Sequence, residues 1–179
     1  MRNPVPRAMV TKGNPKSVKG IADVMRADIR TSMPNPVNEG IVPFHVRKVP
    51  ERHGAWRHIS AGTECVSCQT TPSHGFTAAH RRETPDRIVA GTADTGIVWL
   101  TETIEAQRNG NAVAAVRLPP QESMRDQRAY AVRALTGGSC GEAAARYLAF
   151  LATPDAESAH ARFGSVNASA QDLTLKPIP

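Results

Sequence analysis

Short apolar runs and amphipathic stretches alternate along most of the chain. The continuous run TGIVWL at residues 95–100 is typical of a strand that is buried on both faces. Further strands are predicted at RAMV, DIRTSM, AVAAVRL and QRAYAVRALT, and helices at residues 85–90, TETIEAQR, GEAAARYLAFLA and PDAESAHARFG. This alternation of strands and helices predicts an α/β fold with a parallel or mixed sheet.

Residues 50–76 interrupt this alternation. They are polar, aperiodic and broken by glycine and proline, so we expect an irregular excursion with at most one short helix. Residues 165–179 are expected to form an extended or frayed tail.

Composition narrows the functional classes. The 179 residues carry 22 Lys and Arg against 16 Asp and Glu, a net charge of +6, which favours an anionic partner. The basic residues are scattered and are not interleaved with stacking aromatics, so a nucleic-acid partner is not expected.

No apolar stretch approaches the ~20 residues that cross a membrane, and the N-terminal MRNPVPRAMV has no signal-peptide core. Three cysteines leave one unpaired, which argues against a disulfide framework.

Two predicted helix starts follow a strand and a polar turn, NPVNEGI at residues 35–41 and HRRETP at residues 80–85. Unpaired backbone N–H groups and the positive end of the helix dipole make such starts suitable for an anion. In the second, Thr84 is the predicted N-cap, and Arg81 and Arg82 add guanidinium groups that suit carboxylates or tetrahedral oxyanions. The alternative is that both starts are ordinary caps, with arginines that are solvated or paired with Glu83.

The order of several segments resembles the molybdate-type solute-binding proteins of ABC importers. The resemblance rests on MVTKGNPKSVKGIADV, SMPNPVNEG, HRRETPDRIVAGTADTGIVW and AYAVRALTGGSCGEAAARYLAFLATPDAESAHARFG, which follow one another as that family's segments do. It implies a type II periplasmic-binding-protein-like fold, with a mixed sheet flanked by helices. Residues 1–118 would form a crossing strand and the second α/β lobe, residues 119–164 the return strand and C-terminal helices of the first lobe, and residues 165–179 a tail. The family's first segment has no counterpart, so the chain resembles an N-terminally truncated member.

The same resemblance assigns ligand contacts by position. It implies backbone donors at one helix start, arginine donors at the other, and an aromatic residue where molybdate binders place a tyrosine hydroxyl. The implied ligand-binding residues are Asn38, Glu39, Gly40, Arg81, Arg82 and Trp99. Trp99 offers an N–H and an apolar face but no hydroxyl, which favours an organic anion over molybdate. The alternative for Trp99 is a core tryptophan.

The function that this resemblance implies is capture of a molybdate-like oxyanion or small organic anion in an interlobe cleft, for delivery to the permease of an ABC importer. The implied protein is periplasmic, monomeric and without a cofactor. It is not expected to be an enzyme, because the residues show no nucleophile with its base and no pair of catalytic acids. The alternative is a truncated relative that folds without binding, as a remnant or an interaction protein. Exposed apolar surface where the first lobe should pack would favour that alternative.

A metal or redox module is a further alternative. The stretch CVSC supplies Cys65 and Cys68, and His74 and His80 follow in the spacing C-x2-C-x5-H-x5-H. Structural zinc fingers separate the two pairs by a longer hairpin and helix, and a thioredoxin-like pair opens a helix after a strand. The sequence shows neither pattern, so we expect an incidental pair of loop cysteines and no metal site.

Overall fold

A computed structural model describes residues 6–34, 47–48, 50–60, 74–77, 83–123, 132–135 and 137–165. The chain divides into two compact units. The larger unit is residues 5–124, and the smaller unit combines residues 125–179 with residues 1–4.

The larger unit is built on a five-stranded mixed sheet. Its strands are β1 (Pro6–Thr11), β2 (Thr31–Met33), β3 (His74–Phe76), β4 (Thr95–Trp99) and β5 (Val113–Arg117). Their order across the sheet is β3-β2-β4-β1-β5. Strand β2 pairs in parallel with both β3 and β4, whereas β1 pairs antiparallel with β4 and β5. The predicted mixed sheet is therefore confirmed.

Four short helices connect these strands, and a fifth follows β5. They are a 3₁₀ helix (Ile21–Met25), α1 (Trp56–Ser60), α2 (Glu83–Val89), α3 (Leu100–Arg108) and α4 (Pro120–Ser123). Helix α2 ends shortly before Gly91, whose φ of +70° is the left-handed conformation that ends a helix without strain. Helix α3 starts directly after β4 and leads to β5, as the alternation predicts. Across the described parts of the chain, the helices are too short or too polar to span a bilayer.

Strand β3 is absent from the sequence prediction. The sequence analysis expects an irregular excursion over residues 50–76, but His74–Phe76 pairs with Thr31–Met33 along one side of the sheet. A strand of three residues has too few positions to show the alternation of polar and apolar residues by which strands are recognised. The expectation of an irregular segment is therefore wrong for these residues.

Apolar side chains cover both faces of the sheet. On one face, strand residues such as Ile97 pack with residues of the 3₁₀ helix and α1, including Ile21, Val24 and Ile59. On the other face, Val98 packs with side chains of α2 and α3. Because successive strand residues point to opposite faces, neighbours in β4 belong to different clusters. The burial of β4 on both faces is thus confirmed.

The smaller unit contains two described helices, α5 (Gly141–Leu151) and α6 (Pro154–Ala161). Both were predicted. Thr153 caps α6, because its side-chain oxygen accepts a hydrogen bond from the Ala156 N–H at 3.4 Å and Pro154 occupies the first turn. Among the described residues of this unit, Ala156 is the one buried hydrophobic side chain.

The predicted return strand QRAYAVRALT spans residues 127–136, of which the structure describes residues 132–135. These four residues do not form a strand. Val132 and Leu135 are 57% and 85% exposed there. A strand needs a neighbour to take its backbone hydrogen bonds, and propensity alone cannot supply one. The strand prediction is therefore wrong over these residues.

An ion pair fastens the start of β2 to the turn before β4. Asp94 Oδ2 accepts hydrogen bonds from the Arg30 backbone N–H at 2.8 Å and from Arg30 Nε at 3.0 Å, and Asp94 Oδ1 accepts one from Nη2 at 2.8 Å. The Asp94 side chain is 12% exposed. These hydrogen bonds from Arg30 hold the pKa of Asp94 below its ordinary value of 3.8, against the opposing effect of burial.

Asp94→Asn should lower the free energy of unfolding by about 2 kcal/mol at about pH 7, because it removes a charged acceptor of hydrogen bonds. Since the pKa is lowered in the folded state, the carboxylate stabilises the fold fully above pH 3.8 and loses this effect as the pH falls through its folded-state pKa. Urea unfolding of both proteins between about pH 7 and about pH 2.5 measures the difference, which should shrink at the acid end. A difference that is independent of pH would contradict this role of the ion pair.

Candidate ligand-binding site

Three parallel strands of the larger unit end on one side of the sheet. Strands β3, β2 and β4 are neighbours and run in the same direction, so their last residues, Phe76, Met33 and Trp99, lie towards the same edge. We call this the carboxyl edge. The Thr77 N–H donates to the Met33 carbonyl at 2.9 Å, which holds the chain that leaves β3 beside the end of β2. In open α/β sheets, ligands bind outside the carboxyl ends of the strands.

Helix α2 packs directly on the sheet near this edge. Thr84 is 5% exposed, and its Oγ1 lies 3.1 Å from Ser32 Oγ on β2. A Cβ on Gly96 would lie 2.3 Å from Thr84 Cγ2 and 2.5 Å from the Ser32 carbonyl oxygen, so this approach requires a glycine. The helix begins at Glu83, and the N-cap predicted at Thr84 is therefore wrong. The Thr84 hydroxyl instead binds inside the protein, where it holds the first turn of α2 against β2.

Arg87 joins α2 to the end of β3. Its Nη2 donates to the Phe76 carbonyl at 3.2 Å and also pairs with the Glu83 carboxylate one helical turn earlier. The Arg87 side chain is 16% exposed, so little water competes for these hydrogen bonds. Through these two interactions, Arg87 holds the first turn of α2, which follows Arg81 and Arg82 in the sequence, at the carboxyl edge.

Trp99 is the predicted ligand-binding residue that the structure describes. It ends β4, occupies the N-cap position of α3 and is 7% exposed. By strand alternation it shares the sheet face of Ile97. The other predicted ligand-binding residues lie outside the described part of the chain: Asn38, Glu39, Gly40, Arg81 and Arg82.

Two arginines that the sequence analysis did not single out also lie at the carboxyl edge. Arg7 on β1 is directly opposite Arg117 on β5, and it is opposite Val98 of β4 on its other side. Arg7 Nη1 also donates to the Pro6 carbonyl at 3.3 Å. Arg7 and Arg117 become neighbours through the register of strands β1 and β5, and no local pattern in the sequence predicts that register.

The metal or redox alternative stays a hypothesis. Cys65, Cys68 and His80 lie outside the described residues, and His74 is described through its backbone pairing in β3. Within the ranges that the structure describes, His, Cys, Asp and Glu form no group of three or more that could hold a metal ion.

The chain belongs to the bacterial extracellular solute-binding protein family, whose sequence model matches residues 3–165. This membership confirms the resemblance that the segment order indicates. The family is one of extracellular solute-binding proteins and not of enzymes. None of the curated protein sequences in the comparison matches the chain.

Solved structures of periplasmic binding proteins share the fold. The sulfate-binding protein SubI from Mycobacterium tuberculosis matches 99% of this chain with a TM-score of 0.60 and 21% sequence identity. The periplasmic molybdate-binding protein of Azotobacter vinelandii matches 94% (TM-score 0.59, 12% identity), as does PEB3 of Campylobacter jejuni with L-phospholactate bound (TM-score 0.55, 12% identity). The predicted periplasmic-binding-protein-like fold is confirmed. This chain spans 62%, 68% and 67% of the length of these three chains.

Gly96→Ala should lower the free energy of unfolding by about 3 kcal/mol, because the new methyl group must displace both Thr84 and the backbone of β2. Adding Thr84→Ser removes the Cγ2 methyl group and should recover only part of the loss, since the Ser32 carbonyl remains 2.5 Å from the new Cβ. Gly141→Ala is the control, because its Cβ would meet open space at the start of α5. Chemical denaturation measures all three variants, and equal effects of the two glycine substitutions would refute the close packing at position 96.

Proposed function

We propose that this chain forms the anion-binding part of the solute-binding component of an ABC importer. It would capture a molybdate-like oxyanion or a small organic anion at the carboxyl edge. One observation carries the proposal: every predicted ligand segment follows or ends one of three neighbouring parallel strands. Residues 38–40 come after β2, residues 81–82 come after β3, and Trp99 ends β4. Parallel neighbours send the chain out of the sheet at one edge, which is where α/β sheets bind ligands.

Positive charge supports an anionic ligand at this edge. Arg7 and Arg117 lie opposite each other there, and Arg81 and Arg82 precede α2 in the sequence. Guanidinium groups donate paired hydrogen bonds that match the geometry of carboxylates and tetrahedral oxyanions. Helix α3 also begins at this edge, immediately after Trp99, and its positive dipole end favours negative charge. Together these groups favour a small anion over a neutral solute.

The ligands of structurally similar proteins agree with this class. SubI is a sulfate-binding protein, the Azotobacter vinelandii protein binds molybdate, and PEB3 has been solved with L-phospholactate. Sulfate and molybdate are tetrahedral oxyanions, and phospholactate carries a phosphate and a carboxylate. Because Trp99 is largely buried and has no hydroxyl group to offer a bare oxyanion, we favour an organic phosphate or carboxylate.

The proposed role is capture and delivery without chemical change of the ligand. Family membership supports a periplasmic location and the permease of an ABC importer as the partner. A binding protein of this kind needs no cofactor, and it should release its ligand unchanged.

A second candidate is a relative that folds without binding ligand. It is favoured by the exposed apolar side chains of the smaller unit, where α5 has no buried residue. Exposed surface of this kind marks an interaction site for another partner. A measurement of anion binding distinguishes the two candidates, because only the first should bind an anion.

Thermal unfolding with a panel of anions tests the proposal. The panel contains sulfate, phosphate, molybdate, tungstate, phospholactate and small carboxylates at millimolar concentration. A ligand at about 100 times its Kd stabilises the folded state by about 2.7 kcal/mol, which corresponds to a rise of about 5 to 10 °C in the unfolding midpoint. We expect at least one anion to produce such a rise and neutral sugars to produce none.

Arg81→Ala with Arg82→Ala should abolish the rise, because it removes two guanidinium groups from the proposed site. The matched control is Lys12→Ala with Arg108→Ala, which removes the same charge from the larger unit away from the carboxyl edge: Lys12 follows the end of β1, which runs antiparallel to β4, and Arg108 ends α3, which leads away from that edge. The control should keep the rise. If the wild type unfolds cooperatively and responds to no anion, the non-binding candidate is correct.

The fluorescence of Trp99 tests its assignment to the site. The chain has two tryptophans, so Trp56→Phe leaves Trp99 as the single emitter. The anion that raises the midpoint should change the emission of Trp56→Phe, because it would bind against the indole. Trp99→Phe, which keeps Trp56, should show no such change. Unchanged emission of Trp99 in a protein that binds the anion would assign this residue to the core.

A further inference from the structure

Helix α2 contains an ion pair that is shielded from water. Two helices of the chain join a glutamate to an arginine four residues later, Glu83 to Arg87 in α2 and Glu142 to Arg146 in α5. The side chains of the α2 pair are 26% and 16% exposed, whereas those of the α5 pair are 83% and 79% exposed. Water and salt screen an exposed pair, so its effect is small and local. The charges of the α2 pair are screened less and act over a longer range.

The two terminal nitrogens of Arg87 are used unequally. Nη2 makes both hydrogen bonds, to the Glu83 carboxylate and to the Phe76 carbonyl at 3.2 Å. Nη1 is buried and has no hydrogen-bond partner among the residues that the structure describes. A buried donor without a partner lowers stability, and positions that break a local rule at such a cost are expected at functional sites. Stability alone therefore does not explain an arginine at this position.

The place of Glu83 in the sequence gives its charge a consequence. Glu83 directly follows Arg81 and Arg82, and it begins the helix that packs at the carboxyl edge. A carboxylate beside these arginines opposes anion binding, because it repels the anion and competes with it for the guanidinium groups. A unit charge about 10 Å from the anion, at an effective dielectric constant of about 20, changes the affinity by roughly tenfold. The charge of Glu83 must therefore be offset if the proposed site is to bind well.

We propose that Arg87 is a positioning residue of the anion site, which acts by offsetting the charge of Glu83. This inference rests on the proposed function. Arg87 binds the carboxylate that, in the alternative given by the sequence, would pair with Arg81 and Arg82. Because the Glu83–Arg87 pair is neutral overall, Arg81 and Arg82 contribute their full charge to the proposed site. Arg87 has this effect without touching the anion.

Isothermal titration of the full chain with sulfate, phosphate, molybdate and phospholactate, in about 0.1 M salt, tests this role. Arg87→Gln is neutral and keeps an N–H donor for the Phe76 carbonyl, but it leaves the Glu83 charge without its partner. It should weaken the binding of each anion that the wild type binds by about tenfold or more. Adding Glu83→Gln removes that charge and should restore the affinity to within about threefold of wild type. Glu83→Gln alone should bind at least as tightly as wild type.

A salt series separates the effect of charge from that of structure. The loss caused by Arg87→Gln should shrink as the salt rises from about 0.05 to about 0.5 M, because ions screen the Glu83 charge. Arg30→Gln is the matched control, since it takes an arginine from the Arg30–Asp94 pair at the opposite end of β2. There the carboxylate left without its partner lies farther from the proposed site. This control should lower stability and keep the anion affinity within about threefold of wild type.

Circular dichroism shows whether each variant is folded. If Arg87→Gln alone does not fold, the double variant decides: an affinity close to wild type supports the charge role, and a loss of about tenfold or more overturns it. Three results overturn the role of Arg87 while the proposed function stands: wild-type affinity in Arg87→Gln, a loss that Glu83→Gln does not restore, or an equal loss in Arg30→Gln. A wild type that binds no anion of the thermal-unfolding panel overturns the proposed function, and this role with it.

Discussion

The parallel pairing of β2 with β3 and β4 is the constraint on which the rest of the larger unit depends. Parallel strands cannot be joined by a tight turn, so the chain must cross a face of the sheet between them. Helix α2 makes that crossing from β3 to β4, and it lies close to the sheet because Gly96 has no side chain. The carboxyl edge is therefore formed by three strand ends, and the Arg30–Asp94 pair fastens the opposite end of β2.

Both units carry a net positive charge, part of which is paired in the larger unit. Arg30 pairs with Asp94 and Arg87 pairs with Glu83, while Arg7 and Arg117 occupy opposite positions of β1 and β5 at the carboxyl edge. By sequence, the larger unit carries 15 Lys and Arg against 11 Asp and Glu, and the smaller unit carries 7 against 5, so the net charges are +4 and +2. The positive charge of the larger unit agrees with the proposed binding of an anion there.

The two units also differ in how much apolar surface they bury. Two clusters of apolar residues cover both faces of the sheet in the larger unit, whereas Ala156 is the one buried hydrophobic residue in the described part of the smaller unit. Burial of apolar surface is the main stabilising contribution to a fold. The described side chains of the smaller unit therefore contribute little of this stabilisation.

The sequence by itself determined the α/β class, the helices α2, α3, α5 and α6, the four strands with a readable apolar pattern, and the family, because these depend on local period, turn residues and segment order. It also placed Trp99 in the strand TGIVWL and, through the family resemblance, in the predicted ligand site. Only the tertiary structure decided that Trp99 ends its strand beside the ends of β2 and β3, that residues 132–135 form no strand, and that Arg7 is opposite Arg117 in the strand register. Strand pairing and register are set by contacts between residues that are distant in the sequence, and no local pattern encodes them.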